Sequence, residues 1–216
     1  VKDTLTALGD IAAYYRMKFD IPIIGVTGSS GKTTVKEMVH SVLNRRFFVL
    51  KSEGTENNFI GVSKTLFRLN RAHQTAVLEL GTNHFGEIRR LAQILKPTTG
   101  LITNIGPSHL EFLKSEADVL REKTGLLSSL DRKGTAVING DDARLSKVKG
   151  LKCRIVRFGA SKNCDFRATK ITQCNNGISF TLNHRYEFMI KMLGRQNVYN
   201  ALAAISVGFL NGVDYE

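Results

Sequence analysis

Ile21-Pro22-Ile23-Ile24-Gly25-Val26-Thr27-Gly28-Ser29-Ser30-Gly31-Lys32-Thr33-Thr34 is an apolar run that stops at a turn of small polar residues. A short continuous apolar segment bounded by glycine reads as a strand buried on both faces. Beyond it, Val35, Met38, Val39, Val42 and Leu43 recur at helical spacing, so a helix starts near Lys32. Gly28 and Gly31 permit a tight loop between the two, with backbone N–H groups turned inward and the unpaired N–H groups of the helix start added to them. Such a loop cradles phosphate. Lys32 is placed to neutralise the β- and γ-phosphates, and the Thr33 hydroxyl to meet a magnesium ion attached to them. The spacing departs from the usual phosphate-loop pattern: Val26 stands where its first glycine is expected, and Gly25 lies one residue too early. Gly28, Ser29, Ser30, Gly31, Lys32, Thr33 and Thr34 form the candidate nucleoside triphosphate site; the alternative is a structural glycine-rich turn.

The same alternation repeats on either side. Leu5, Leu8, Ile11, Ala12 and Tyr15 lie at helical spacings before the strand. After the loop helix come a short strand near Phe47–Leu50, a helix from about Ile60 to Leu69, a strand at Thr75–Leu80 and a helix across Glu87–Leu95. A strand at Leu101–Asn104, a helix around Glu116–Leu130 and a strand at Thr135–Asn139 follow. Repeated strand–helix crossovers predict an α/β fold with a mostly parallel sheet covered by helices, in which ligands gather beyond the C-terminal strand ends. From about 152 to 192 the texture changes to short strands between polar turns: Arg154–Phe158, Arg167–Ile171, Gly177–Leu182 and Tyr186–Ile190. A small, partly antiparallel sheet is expected there, followed by a helix from Asn197 to about Phe209.

With 216 residues and 42% hydrophobic content the chain can bury a sizeable core. Its formal charge of +12 favours anionic partners, without distinguishing nucleotide, nucleic acid, anionic membrane or phosphorylated substrate. No apolar run approaches the roughly 18 to 20 residues that span a bilayer, and Val1-Lys2-Asp3-Thr4 is unlike a signal peptide, so no membrane insertion and a cytoplasmic setting are expected. The three cysteines, Cys153, Cys164 and Cys174, form no short metal-binding pair.

Later polar positions narrow the chemistry. Glu79 closes the apolar strand Val77-Leu78, where a carboxylate needs a partner; it reads as a second magnesium ligand, or else as a surface cap. His109 lies in Thr103-Asn104-Ile105-Gly106-Pro107-Ser108-His109, a shaped turn that returns the imidazole toward the strand ends, with loop packing as the alternative. Lys123 sits on a helix, where a lysine is ordinarily a solvated charge. Glu53-Gly54-Thr55-Glu56-Asn57-Asn58 either caps the next helix or places a substrate near the phosphates.

Five stretches together resemble the central ATPase domain of the Mur ligases, the bacterial enzymes that extend the cell-wall precursor peptide. They are TGSSGKTT (Thr27–Thr34), EGTENNFIG (Glu53–Gly61), LELGTNHFGEIRRLA (Leu78–Ala92), TNIGPSHLEF (Thr103–Phe112) and GRQNVYNALAA (Gly194–Ala204). The similarity is greatest to the member that adds D-alanyl-D-alanine to a UDP-N-acetylmuramoyl-tripeptide. It implies ATP and Mg2+ as cofactors, with Thr33 and Glu79 at the magnesium that bridges the terminal phosphates. It also implies His109 as ligand of a second magnesium, Lys123 as the lysine that carries a carbamate, Asn58 near the substrate, and Asn197 and Asn200 on the adenine side. Gln196 stands where relatives often have histidine, and Gly125 where they often have glutamate, which puts an acidic neighbour of Lys123 in doubt. The resemblance further implies residues 1–216 as a middle domain, with N-terminal substrate and C-terminal closing domains outside it and weak or absent activity alone.

The implied reaction has two steps: the tripeptide carboxylate attacks the γ-phosphorus of ATP, and the amine of D-alanyl-D-alanine then displaces phosphate from the acyl phosphate. Lys32, His109 and Lys123 are the expected catalytic positions. A folate polyglutamate or other amide ligase on the same core is the neighbouring alternative. A nucleotide-dependent nucleic-acid-binding module is the alternative of another class, suggested by the basicity and by Arg45-Arg46, Arg89-Arg90 and Lys147 to Arg157; without a clear base-reading or aromatic stacking arrangement, no nucleic acid partner is expected. A monomer is expected.

Overall fold

The computed structural model describes residues 1–108 and 110–215, leaving aside the side chains of Leu110 and Glu111. Its elements are α1 (Thr4–Arg16), β1 (Ile23–Thr27), α2 (Lys32–Leu43), β2 (Val49–Lys51), α3 (Phe59–Phe67), β3 (Thr75–Glu79), α4 (Glu87–Leu95) and β4 (Thr99–Ile102). The short turn α5 (Leu110–Leu113), α6 (Glu116–Ser128), β5 (Thr135–Asn139), β6 (Arg154–Gly159), β7 (Phe166–Cys174), β8 (Gly177–Leu182), β9 (Tyr186–Ile190) and α7 (Gln196–Leu210) complete them.

The strands form one sheet in the order β2-β3-β1-β4-β5-β6-β7-β8-β9. Pairing is parallel from β2 through β6, and β1 has β3 on one side and β4 on the other. The chain therefore moves outward from β1 in one direction and then returns to build the other side. That reversal opens a crevice at the C-terminal end of β1, where the phosphate loop sits.

Alternate residues of the parallel strands feed two cores. Ile23, Ala76, Leu78, Ala136 and Ile138 join α1, α3, α4 and α6 on one face. Ile24, Val26, Val77, Leu101 and Val137 join α2 and α7 on the other. Burial on both faces is why these strands read as unbroken apolar runs. Asp3 caps α1 by accepting from the N–H of Leu5, and Ser115 caps α6 by accepting from that of Asp118.

Most predicted elements are present, with shifted ends. β1 starts at Ile23 rather than Ile21, since Pro22 has no N–H to give the ladder and contributes only its carbonyl, to Ala76. The small antiparallel region exists as β7, β8 and β9. β6, grouped with it on sequence, is instead a parallel continuation of the main sheet, paired with β5 from Thr135↔Arg154 to Asn139↔Phe158. β7 runs parallel to β6 at Phe158↔Phe166 and Gly159↔Arg167 before turning to β8, which fuses the two regions. Side-chain alternation shows that a strand is half covered, not which way its partner runs. No helix among the described residues is long and apolar enough to cross a membrane.

A glycine pair sets how close α6 lies. Gly25 and Gly100 are register partners on β1 and β4, and a Cβ on either would stand 3.1 Å from a carbon of the Leu126 side chain. Gly100→Val is therefore expected to overpack this contact and to lower unfolding stability by about 1–3 kcal/mol, read from urea denaturation midpoints.

Candidate nucleotide and metal site

The phosphate loop crosses from β1 to α2 in close contact with the loop after β4. Gly28 has φ +154, and a Cβ there would lie 1.8 Å from Thr103 Oγ1. Thr103 Oγ1 donates to the Ser30 carbonyl at 2.6 Å. The Ser29 N–H donates to the Asn104 carbonyl and the Ser30 N–H to Asn104 Oδ1, each at 3.0 Å. These two amides, expected to face inward for phosphate, are thus tied to Asn104. The remaining donors belong to Gly31, which caps α2 with φ 77, and to Lys32, Thr33 and Thr34, whose N–H groups have no intrahelical partner. All four residues line a cleft of about 520 Å³, together with Asn57, Asn58, Glu79, Asn83 and Lys123.

Glu79 stands at the end of β3, opposite Val26 of β1, and is 1% exposed. Its carboxylate accepts from Thr33 Oγ1 at 2.7 Å and from Asn57 Nδ2 at 2.9 Å, while its own N–H donates to Ser52 Oγ at 3.1 Å. Lys32 Nζ donates to the Gly28 carbonyl at 3.0 Å. Burial draws the Lys32 pKa below the ordinary lysine value, and the charge of Glu79 opposes that shift. Lys123 is 1% exposed; burial, aided by the nearby charge of Lys32 and opposed by Glu122, lowers its pKa to about 8. Far from the solvated charge that its helix alone suggests, Lys123 faces the cleft floor.

Asn58 caps α3, its Oδ1 accepting from the Gly61 N–H at 2.9 Å, and the residue also lines the cleft. His109 lies outside the described residues. Gly125 faces α4, where a Cβ would stand 3.3 Å from that of Arg89. The acid beside Lys123 is Glu122, whose carboxylate accepts from Thr82 Oγ1 and from the N–H groups of Gly86 and Ile88 at 2.7–3.1 Å. It holds the start of α4 beside Asn83 and Glu87, which line the cleft.

A second cavity of about 400 Å³ shares Gly31 and Thr34 with the first and continues between Asn104, Phe158, Gln196, Asn197, Tyr199 and Asn200. A Cβ on Gly31 would lie 2.8 Å from Asn200 Oδ1, so α7 packs directly on the phosphate loop. Asn200 Nδ2 donates to Asn197 Oδ1 at 3.0 Å, and Asn197 Nδ2 to the Leu193 carbonyl at 2.7 Å. Asp141 accepts from the Tyr199 hydroxyl at 2.9 Å and from the N–H groups of Ala160 and Ser161, tying this wall to the loops after β5 and β6. The two cavities together offer a charged end and an amide-lined end, the division a nucleoside triphosphate has.

Sequence reasoning missed Asn57, Asn104, Glu122 and Tyr199. Glu122 carried a signal, since it lies with Val119, Lys123 and Leu126 on the buried stripe of α6. The others depend on loops brought together from distant parts of the chain.

The site suits a hard divalent cation bound through few protein atoms. Thr33 Oγ1 and Glu79 Oε2 place two oxygen donors side by side at the head of α2. Such a pair of hard oxygen donors suits magnesium, which is commonly held by one or two protein ligands with phosphate and water.

Residues 26–208 match the Mur ligase middle domain. The chain belongs to that family. It is 36% identical over 214 residues to the UDP-N-acetylmuramoyl-tripeptide–D-alanyl-D-alanine ligase of Bacillus subtilis, covering 99% of this chain and 46% of the relative. The enzyme of the same description from Haemophilus influenzae is 39% identical over 96% of this chain and 47% of its own. The crystal structure of MurF from Acinetobacter baumannii superposes with a TM-score of 0.93 at 33% identity, over 100% of this chain and 48% of that one. The chain thus spans about half the length of the relatives it matches.

In this Mur ligase domain the titration of Lys123 has a defined sign. Its folded pKa of about 8 lies below the ordinary 10.5, so above about pH 8 the unfolded chain binds more protons and stability rises toward pH 10.5. Urea unfolding of wild type and Lys123→Met at pH 7.5, 9 and 10 is expected to show that rise in wild type and a smaller one in the variant.

Proposed function

We propose that this chain is the ATP-binding part of a cytoplasmic, monomeric ligase that joins D-alanyl-D-alanine to UDP-N-acetylmuramoyl-tripeptide. The observation that carries the reading is the buried Glu79 carboxylate, joined to Thr33 at the head of the phosphate-loop helix in one cleft with Lys32 and Lys123. The names of the relatives support the substrate pair.

The reaction proceeds in two displacements. An oxygen of the tripeptide carboxylate attacks the γ-phosphorus of ATP and ADP leaves, giving an acyl phosphate. The amine of D-alanyl-D-alanine then attacks the acyl carbon, phosphate leaves with the C–O bond, and the amine loses its proton as the amide forms. In the first displacement the N–H groups at the head of α2 and the Lys32 ammonium hold the terminal phosphates and offset their charge. Thr33 and Glu79 would hold a magnesium ion, which when bound would supply positive charge to offset that of the phosphate oxygens.

The pKa of about 8 leaves Lys123 with an appreciable unprotonated fraction near neutrality, and the free amine is the form that adds CO2 to give a carbamate. That carbamate and His109 are the proposed ligands of a second magnesium. Asn58 faces the incoming carboxylate, and Asn197 and Asn200 hold the adenine end.

Two measurements test the reading. Calorimetry on the chain is expected to detect magnesium-dependent ATP binding, weakened roughly 10- to 100-fold by Lys32→Ala because a charge-assisted contact is lost, and less by Thr33→Ala. No binding by folded wild type overturns it. In the full-length enzyme, ATP, magnesium, candidate uridine-linked tripeptides and D-alanyl-D-alanine should yield the extended peptide by mass spectrometry. Glu79→Ala should abolish that product while the fold persists; undiminished turnover contradicts the metal role.

A further inference from the structure

Lys36 follows Lys32 by one turn of α2 and is 0% exposed, although it is not part of the cleft wall. An ammonium has three donors, and a buried one needs an acceptor for each. Here they are the Ser52 carbonyl at 2.9 Å, the Gly54 carbonyl at 3.1 Å and Glu37 Oε1 at 3.0 Å. Two of the three belong to the loop that leads from β2 to α3. The same loop is anchored to β3, since the Ser52 N–H donates to the Val77 carbonyl and Ser52 Oγ accepts from the Glu79 N–H. Farther along it, the Gly81 N–H donates to the Asn57 carbonyl at 2.8 Å and Asn57 Nδ2 donates to Glu79 Oε1 at 2.9 Å. One helix thus presents Thr33 to one carboxylate oxygen of Glu79 and, through Lys36 and the loop, Asn57 to the other.

We propose that Lys36 is a positioning residue for the metal end of the cleft: by gripping the Ser52 and Gly54 carbonyls it fixes the loop so that Asn57 orients the Glu79 carboxylate toward Thr33. The proposal rests on the reading of Thr33 and Glu79 as magnesium ligands and adds the device that aims them. A lysine that only filled the interior would affect stability alone. One that aims a metal ligand also alters the gain in nucleotide affinity that magnesium brings.

The test is ATP affinity by calorimetry with magnesium and with EDTA, on the 216-residue chain and on Lys36→Met, Asn57→Ala and their double variant, with folding checked by circular dichroism. The ratio of the two affinities is expected to fall about 10- to 100-fold in each single variant, as when an outer partner of a metal ligand is removed, with the EDTA affinity of Lys36→Met held within about twofold. The double variant should be no worse than either single one, because both act on one chain of contacts. Folded Lys36→Met with the wild-type ratio overturns the proposal, as does a wild-type ratio in Asn57→Ala. If Lys36→Met does not fold, Lys36→Gln takes its place and the same criterion applies. Wild type showing no magnesium-dependent gain overturns the metal reading itself, a separate result from an unchanged ratio in the variants.

Discussion

A carboxylate almost wholly withdrawn from water at the end of a central strand is the constraint around which this molecule is arranged. Glu79 is 1% exposed, and burying such a group without partners is costly. The fold meets the requirement with groups from two places: Thr33 from the head of α2, and Asn57 with Ser52 from the loop after β2, the latter at the backbone. Because these elements converge on one strand end, the phosphate loop and the metal-type carboxylate are held in register before any ligand arrives.

Around that carboxylate lie three lysines with different environments. Lys32 rests on a loop carbonyl at the cleft, Lys36 is enclosed by carbonyls and a carboxylate, and Lys123 is buried beside Glu122. The three environments differ in burial and in neighbouring charge: burial and the Lys32 charge draw the Lys123 pKa down, and Glu122 opposes them.

The second determinant is the close approach of α7 to the phosphate loop, allowed only because position 31 lacks a Cβ that would strike Asn200. That approach joins the charged end of the site to the amide-lined cavity. It also makes α7 a wall of that cavity as well as a cover for the sheet.

Much of this was legible in the residues. The apolar run before Thr27, the glycines of the loop and the recurring strand–helix spacing led to the parallel sheet, because local periodicity and turn chemistry act over a few residues. The glycine-rich turn marked Lys32 and Thr33, and Glu79 was legible because a carboxylate ending an apolar strand is an anomaly in a linear text. The buried positions of Lys36 and Lys123 were visible only as lysines on apolar helical stripes, a pattern that solvated lysines also show. The parallel course of β6, the capture of the Ser29 and Ser30 amides by Asn104, the link from Asn57 to Glu79 and the role of Glu122 were decided by the tertiary structure. Each joins segments far apart in sequence, and a hydrogen bond depends on where two backbones meet in space, which no local spacing encodes.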